Sequence, residues 1–158
     1  MTDHASLPWT ADGALEVLSF NVGGETFAIE AVLVQEILDL MPETAVPGAD
    51  PLVGHVINFR GRVIPLADLR RAFDMEPAEA TRDSRIVVIE RPIGETVELI
   101  GLRADRVNEV ATLSAADCEA TPTIGMRWRR DHVRGLIQHG GEIVVMPDLD
   151  AIFATVLH

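Results

Sequence analysis

The chain has 158 residues, 47% of them hydrophobic, and a formal net charge of −12 at pH 7. It contains no lysine, so its 13 strongly basic side chains are all arginine. This balance argues against a nucleic acid backbone or an anionic membrane as partner, because both need neutralising positive charge.

Residues 1–14 read as a flexible N-terminal tail, polar and broken by Pro8 and Gly13. Trp9 is the exception, equally suited to docking or to an idle place in that tail. Asp3 and the lack of a basic and then apolar leader predict no signal peptide. Leu15 to Phe20 alternates, Asn21–Glu25 supplies a turn, and Thr26 to Ile29 returns as a strand. Glu30 to Leu40 is ambiguous. Ala31, Val34, Ile37 and Leu38 have helical spacing, but valine and isoleucine favour strands. One or two helical turns and then a strand are expected. Pro42 to Pro51 is a loop.

Gly54 to Phe73 is the most informative stretch. Val56-Ile57 and Val63-Ile64 are strand formers with Asn58-Phe59-Arg60-Gly61 between them, which reads as a hairpin with its turn near Arg60-Gly61-Arg62. Pro65 lacks an amide hydrogen and marks a sheet edge or the end of a ladder. Asp68 is placed to cap a short helical turn, Leu69 to Phe73. Asp74 to Asp83 is a polar linker. Arg85 to Glu90 is a strand, Arg91–Gly94 a turn, and Thr96 to Leu102 the return strand. Gly101 and Ala104-Asp105 suggest a bulge or bend before Val107 to Val110. Leu113 to Thr123 is loop-like. Arg127-Trp128-Arg129-Arg130 is the one basic cluster, read either as a solvated face or as a contact. Val133–Ile137 and Glu142–Met146 form a closing hairpin. Ile152, Phe153 and Val156 space a terminal helix over Asp150–Leu157.

The chain also echoes itself. Gly61, Ile64, Asp68, Leu69 and Phe73 are matched by Gly141, Val144, Asp148, Leu149 and Phe153. Val34-Gln35-Glu36-Ile37 is echoed by Val107-Asn108-Glu109-Val110, and Gly24-Glu25-Thr26 by Gly94-Glu95-Thr96. Matches in the same order predict two related β-rich units in tandem, roughly 15–80 and 81–157.

Signals for catalysis are absent. His55, His132 and His139 lack metal-ligand spacing. Cys118, the only cysteine, has no base beside it in sequence and excludes an internal disulfide, which fits a reducing compartment. No phosphate-binding glycine motif, Walker lysine or serine elbow occurs. No apolar run reaches the eighteen residues that suggest a membrane span.

The chain from Leu15 to Leu157 resembles the CheW family of chemotaxis coupling proteins. Asn58-Phe59-Arg60-Gly61-Arg62-Val63-Ile64-Pro65-Leu66-Ala67-Asp68-Leu69-Arg70 is similar to the family's Asn-Leu-Arg-Gly-x-x-x-Pro-x-x-Asp-Leu-Arg core. Phe27-Ala28-Ile29, Val34-x-Glu36-Ile37 and Gly101-Leu102-x-x-Asp105-x-Val107 resemble further family positions, and Asp148-Leu149 the end of the second unit. Phe59 stands where leucine is usual, and Ala67 where valine or isoleucine is.

The resemblance implies an all-β fold of two tandem SH3-like five-stranded barrels, intertwined, with short helical turns and a C-terminal helix. It implies no enzyme activity and no cofactor or metal. The implied partners are the cytoplasmic tip of methyl-accepting chemoreceptors, near the junction of the barrels, and the regulatory domain of a CheA-type histidine kinase, end-on against the first barrel. The implied location is the cytoplasm, at receptor arrays. Arg60, Phe59, Asn58, Glu36 and Ile37 become the candidate partner-binding residues. Gly61, Asp68, Gly141 and Asp148 become structural ones. Each has a plainer reading: Arg60 pairs with an acidic neighbour or fixes the turn, Asn58 satisfies turn amides, and Glu36 and Ile37 fill core or surface. A small ligand-sensing β-barrel or enzyme is the alternative function, marked by a closed pocket with converging polar groups.

Overall fold

The computed structural model describes residues 7–93, 95–119 and 130–154. Twelve strands and two short helices account for most of them. The strands are Ala14–Val22 (β1), Glu25–Glu30 (β2), Val34–Asp39 (β3), Thr44–Ala45 (β4), His55–Phe59 (β5), Arg62–Ala67 (β6), Arg85–Ile93 (β7), Thr96–Ala104 (β8), Arg106–Ser114 (β9), Cys118–Glu119 (β10), Val133–His139 (β11) and Glu142–Pro147 (β12). The helices are Leu69–Ala72 (α1) and Leu149–Phe153 (α2).

Two sheets result, ordered β10-β11-β12-β2-β1-β9 and β3-β7-β8-β6-β5-β4. Each has five long strands and one of two residues. In the second, the run from β3 to β4 pairs β7 at one end and β5 at the other, which rolls the sheet closed. The run from β9 to β10 does the same in the first, against β1 and β11. The ladders are antiparallel except where β12 meets β2 and β6 meets β8.

The division expected at 80/81 is therefore corrected. That point separates the two sequence repeats, not the two barrels. One barrel is an unbroken stretch, β3 to β8, and is called here the inserted barrel. The other, the terminal barrel, is assembled from the chain's two ends, β1–β2 and β9–β12. Each repeat thus gives its hairpin to one barrel and its remaining four strands to the other.

Burial explains why the hairpins cross over. Strand alternation sends successive side chains to opposite faces. In β1, Leu15 and Val17 enter the terminal barrel, while Leu18, Phe20 and Val22 enter a core shared by both. In β7, Ile86 and Val88 enter the inserted barrel, and Val87 and Ile89 the shared core. Both faces of each hairpin are covered, which is why Arg85–Glu90 reads as a continuous apolar run. Phe27 and Phe73 anchor the shared core, with ring centroids 5.0 Å apart.

The echoed segments have local causes. Arg60 and Gly61 have φ of 52° and 82°, and Gly140 and Gly141 of 60° and 85°. These are equivalent two-residue turns with both central residues left-handed, closed by Phe59–Arg62 and His139–Glu142. The two Val-x-Glu segments each carry a register shift, just after Val34 in β3 and just after Val107 in β9, as a β-bulge does. Of the Gly24/Gly94 echo, Gly94 lies outside the described residues, and Gly24 sits in the turn closed by Val22–Glu25. Asp68 accepts from the amide of Arg70 and Asp148 from that of Ala151, so both cap their helices. The terminal helix begins at Leu149 rather than Asp150, and buries Ile152 and Phe153.

Other expectations change. β7 runs through Arg91 and Pro92, where a turn was expected; Pro92 is tolerated because β3 stops opposite Ile89. Gly101 marks close approach rather than a bulge, since an added methyl would lie 3.0 Å from Ile86 Cγ2 and 3.2 Å from Leu66 Cδ1. The N-terminal tail expected to be flexible over 1–14 is docked from Leu7 onward. Leu7 is buried and Trp9 packs on the terminal barrel's core. Leu7→Ala is accordingly expected to lower stability by about 2 kcal/mol. Urea titration of the variant checks this; an unchanged midpoint would return the segment to the status of a loose tail. Residues 127–129 of the basic cluster lie outside the described residues.

Candidate functional site

The β5–β6 turn places the candidate residues. Asn58 faces outward at the end of β5, and its Oδ1 accepts from the Gly61 amide at 2.9 Å. That bond holds the tight reversal and leaves Arg60 at its apex, 71% exposed. The guanidinium lies 5.0 Å from the centroid of Phe59, whose own ring is buried in the inserted barrel. It also pairs with the Glu36 carboxylate from β3.

The structure thus joins Arg60, Phe59, Asn58 and Glu36 at the mouth of the inserted barrel. It does not join Ile37 to them. Alternation turns Ile37 to the other face of β3, where it is 43% exposed. Val63, opposite Asn58 in the ladder and 69% exposed, is a surface apolar residue that the sequence reading missed. Its signal was the period of two: Ile57 and Ile64 point in, so their neighbours point out. The arrangement offers a cation, a flat ring and exposed β-branched side chains. It offers no nucleophile beside a base.

Beyond the other end of β6 lies a strut between the barrels. The Arg70 guanidinium, from α1, donates to Asp105 Oδ1 at 2.7 Å and Oδ2 at 2.6 Å, a bidentate pair. Asp105 Oδ2 also accepts from the Gly23 amide at 2.9 Å, in the β1–β2 turn of the other barrel. Burial alone would raise the Asp105 pKa. The hydrogen bonds from Arg70 and Gly23 and the attraction of the guanidinium outweigh it, so the carboxyl lies below its ordinary value. A carboxyl lowered by folding adds stability above its unfolded value, about 3.9, and loses it as pH falls through the folded value. Asp105→Asn should therefore be less stable than wild type at pH 7, and the gap should close below about pH 4. Urea midpoints across that range test this; a constant gap would mean that the carboxylate's charge is not what matters.

Elsewhere, Arg103 pairs with Glu43, Arg91 with Asp150 and Arg134 with Glu30. Cys118 is half-buried against the terminal barrel's core. Among the described residues no group of three His, Cys, Asp or Glu side chains is placed to hold a metal ion. No described helix is long and apolar enough to cross a membrane.

The fold of two interlocked β-barrels is shared with known proteins. Residues 16–156 match the family described as CheW-like domain. The chain is 33% identical over 142 residues to the chemotaxis protein CheW of Rhizobium meliloti, covering 90% of this chain and 89% of that one. It is 33% identical over 107 residues to the chemotaxis protein CheW of Bacillus subtilis, covering 68% and 66%. The crystal structure of the scaffolding protein TtCheW from Thermoanaerobacter tengcongensis superposes with a TM-score of 0.77 at 24% identity, over 88% of this chain and 87% of that one. The chain belongs to the CheW-like family.

Proposed function

We propose that the protein is a non-enzymatic adaptor that couples methyl-accepting chemoreceptors to a CheA-type histidine kinase. It works in the cytoplasm and reaches the membrane through its partners. The observation that carries this reading is agreement with the CheW-like family over residues 16–156. An adaptor needs no reacting group. It raises the effective concentration of one partner beside the other. Arg60, Phe59, Asn58 and Glu36 form the recognition turn, and Ile37 adds apolar area on the neighbouring face. The receptor tip docks near the junction of the barrels, on the side nearer the recognition turn, and the kinase's regulatory domain docks end-on against the inserted barrel.

The test is reconstitution. The purified chain is mixed with a receptor signalling fragment, with the kinase regulatory domain, and with both, and the mixtures are run on a sizing column. A complex with each partner and a ternary complex are expected. Failure to bind either partner removes the reading.

A further inference from the structure

The two barrels repeat each other's mouth with one omission. Gln35 Nε2 donates to Glu90 Oε2 at 2.7 Å in the inserted barrel, and Asn108 Nδ2 donates to Ser19 Oγ at 3.1 Å in the terminal one. Gln35 and Asn108 hold the same place in the echoed Val-x-Glu segments, so these bonds are counterparts. The next residues are Glu36 and Glu109. Glu36 holds Arg60, the first residue of its turn. The first residue of the equivalent turn is Gly140, with nearly the same φ. Glu109 and Gly140 line one cleft of about 310 Å³. Glu109 has no ion-pair partner among the described residues.

Acceptors predominate in the cleft. Glu142 also lines it, where the inserted barrel has Arg62. The Asn21 and Asn108 amide nitrogens are already donating, to Thr26 Oγ1 and Ser19 Oγ. Asn21 spends its second amide hydrogen on the Glu25 carbonyl, Asn108 keeps one N–H, and both side chains keep a carbonyl oxygen as acceptor. The Thr26 hydroxyl donates to Glu142. His139 lines the same cleft with a flat ring, at the turn position that Phe59 holds beneath Arg60. Acceptors, two carboxylates and a ring match a group with five donors, no acceptor and a planar face.

We propose that the mouth of the terminal barrel receives an arginine side chain from a binding partner, presented on an exposed turn. The partner's guanidinium takes the place that Arg60 fills in the inserted barrel. This goes beyond the adaptor reading, and its test needs neither chemoreceptor nor kinase.

N-acetyl-arginine amide is titrated into the whole chain while the side-chain amide resonances of Asn21 and Asn108 are followed by NMR. The lysine analogue serves as control. Saturable shifts confined to the cleft are expected for arginine only. Glu109→Gln should weaken binding roughly tenfold, through loss of one charge-assisted contact. Gly140→Arg should abolish it, because the chain would then fill its own cleft. An added Cβ at Gly140 meets nothing within 4 Å, and the strain of its left-handed φ is the same that Arg60 already bears at 52°. Absence of saturation, an equal response to the lysine analogue, or undiminished binding by E109Q and a stably folded G140R would each overturn the proposal.

Discussion

Phe27→Ala is expected to lower folding stability by about 3–5 kcal/mol, the largest loss expected of any substitution considered for this chain. The ring has no exposed surface, and it touches Phe20 and Phe73. It sits on β2 beside Val145 of β12, at the edge where the first hairpin joins the last strands of the chain. Phe73 closes α1, which follows the last strand of the β5–β6 hairpin. Removing Phe27 therefore opens a cavity in the core common to both barrels, and neighbouring backbone is fixed by the ladders on either side. A loss of that size is a large part of the stability of an ordinary domain. Urea denaturation followed by fluorescence and by circular dichroism would measure it. A single transition with a lowered midpoint and an unchanged slope is expected. Two separated transitions would show that the barrels unfold independently, and a loss below about 1 kcal/mol would show that the rings around the cavity close in.

Arg60→Glu is expected to cost roughly 2–5 kcal/mol of binding to the receptor fragment, with little change in melting temperature. The side chain stands at an exposed apex, so its removal leaves no cavity. Its pair with Glu36 is a surface pair, worth at most about 1 kcal/mol to the fold. In a complex the same pair loses water, and the contact becomes far more sensitive to a reversed charge. The variant also sets two glutamates side by side at the barrel mouth. Calorimetric titration of wild type and R60E against the receptor fragment and, separately, the kinase regulatory domain is the measurement. The receptor titration should suffer more. Glu36→Arg combined with R60E restores the pair but reverses its direction, and should recover the melting behaviour without recovering binding. Unchanged affinity of R60E for both partners would leave Arg60 as a solvated turn residue.

Local chemistry made part of this architecture legible in the sequence. Gly61 and Gly141 marked their turns because a left-handed backbone favours glycine. Asp68 and Asp148 marked helix starts because a short carboxylate can reach a free amide two or three residues on. The repeated Val-x-Glu segments stood out because each carries the same bulge. What escaped was set by contacts between distant residues. Arg70 and Asp105 each stood in a motif, yet nothing in either segment says that they meet. Leu7 read as tail because its pocket beside Gly135 and Ile137 is formed by strands more than a hundred residues later. The exchange of hairpins was hidden for a related reason. Either repeat could close on its own hairpin or on its twin's, since the two hairpins have nearly the same pattern. Arg60 kept two readings, partner contact and acidic pair, and the pair with Glu36 is the one that the isolated chain displays.

The insertion of one barrel inside the other sets a timetable for synthesis. The inserted barrel leaves the ribosome as one continuous stretch, complete at Ala104. The β1–β2 hairpin emerges earlier but cannot be covered on its terminal-barrel face until β9 to β12 arrive, with Ala14 finally opposite Ser114 and Phe27 opposite Val145. At roughly 5–20 residues per second, that is a wait of about 5–20 s. Throughout it a nascent hairpin bearing Leu15, Val17 and Ala28 has an apolar face with no partner strand. The ribosome-bound chain is thus most open to chaperones, and to pairing with a neighbouring nascent copy, at its first thirty residues and not at its last.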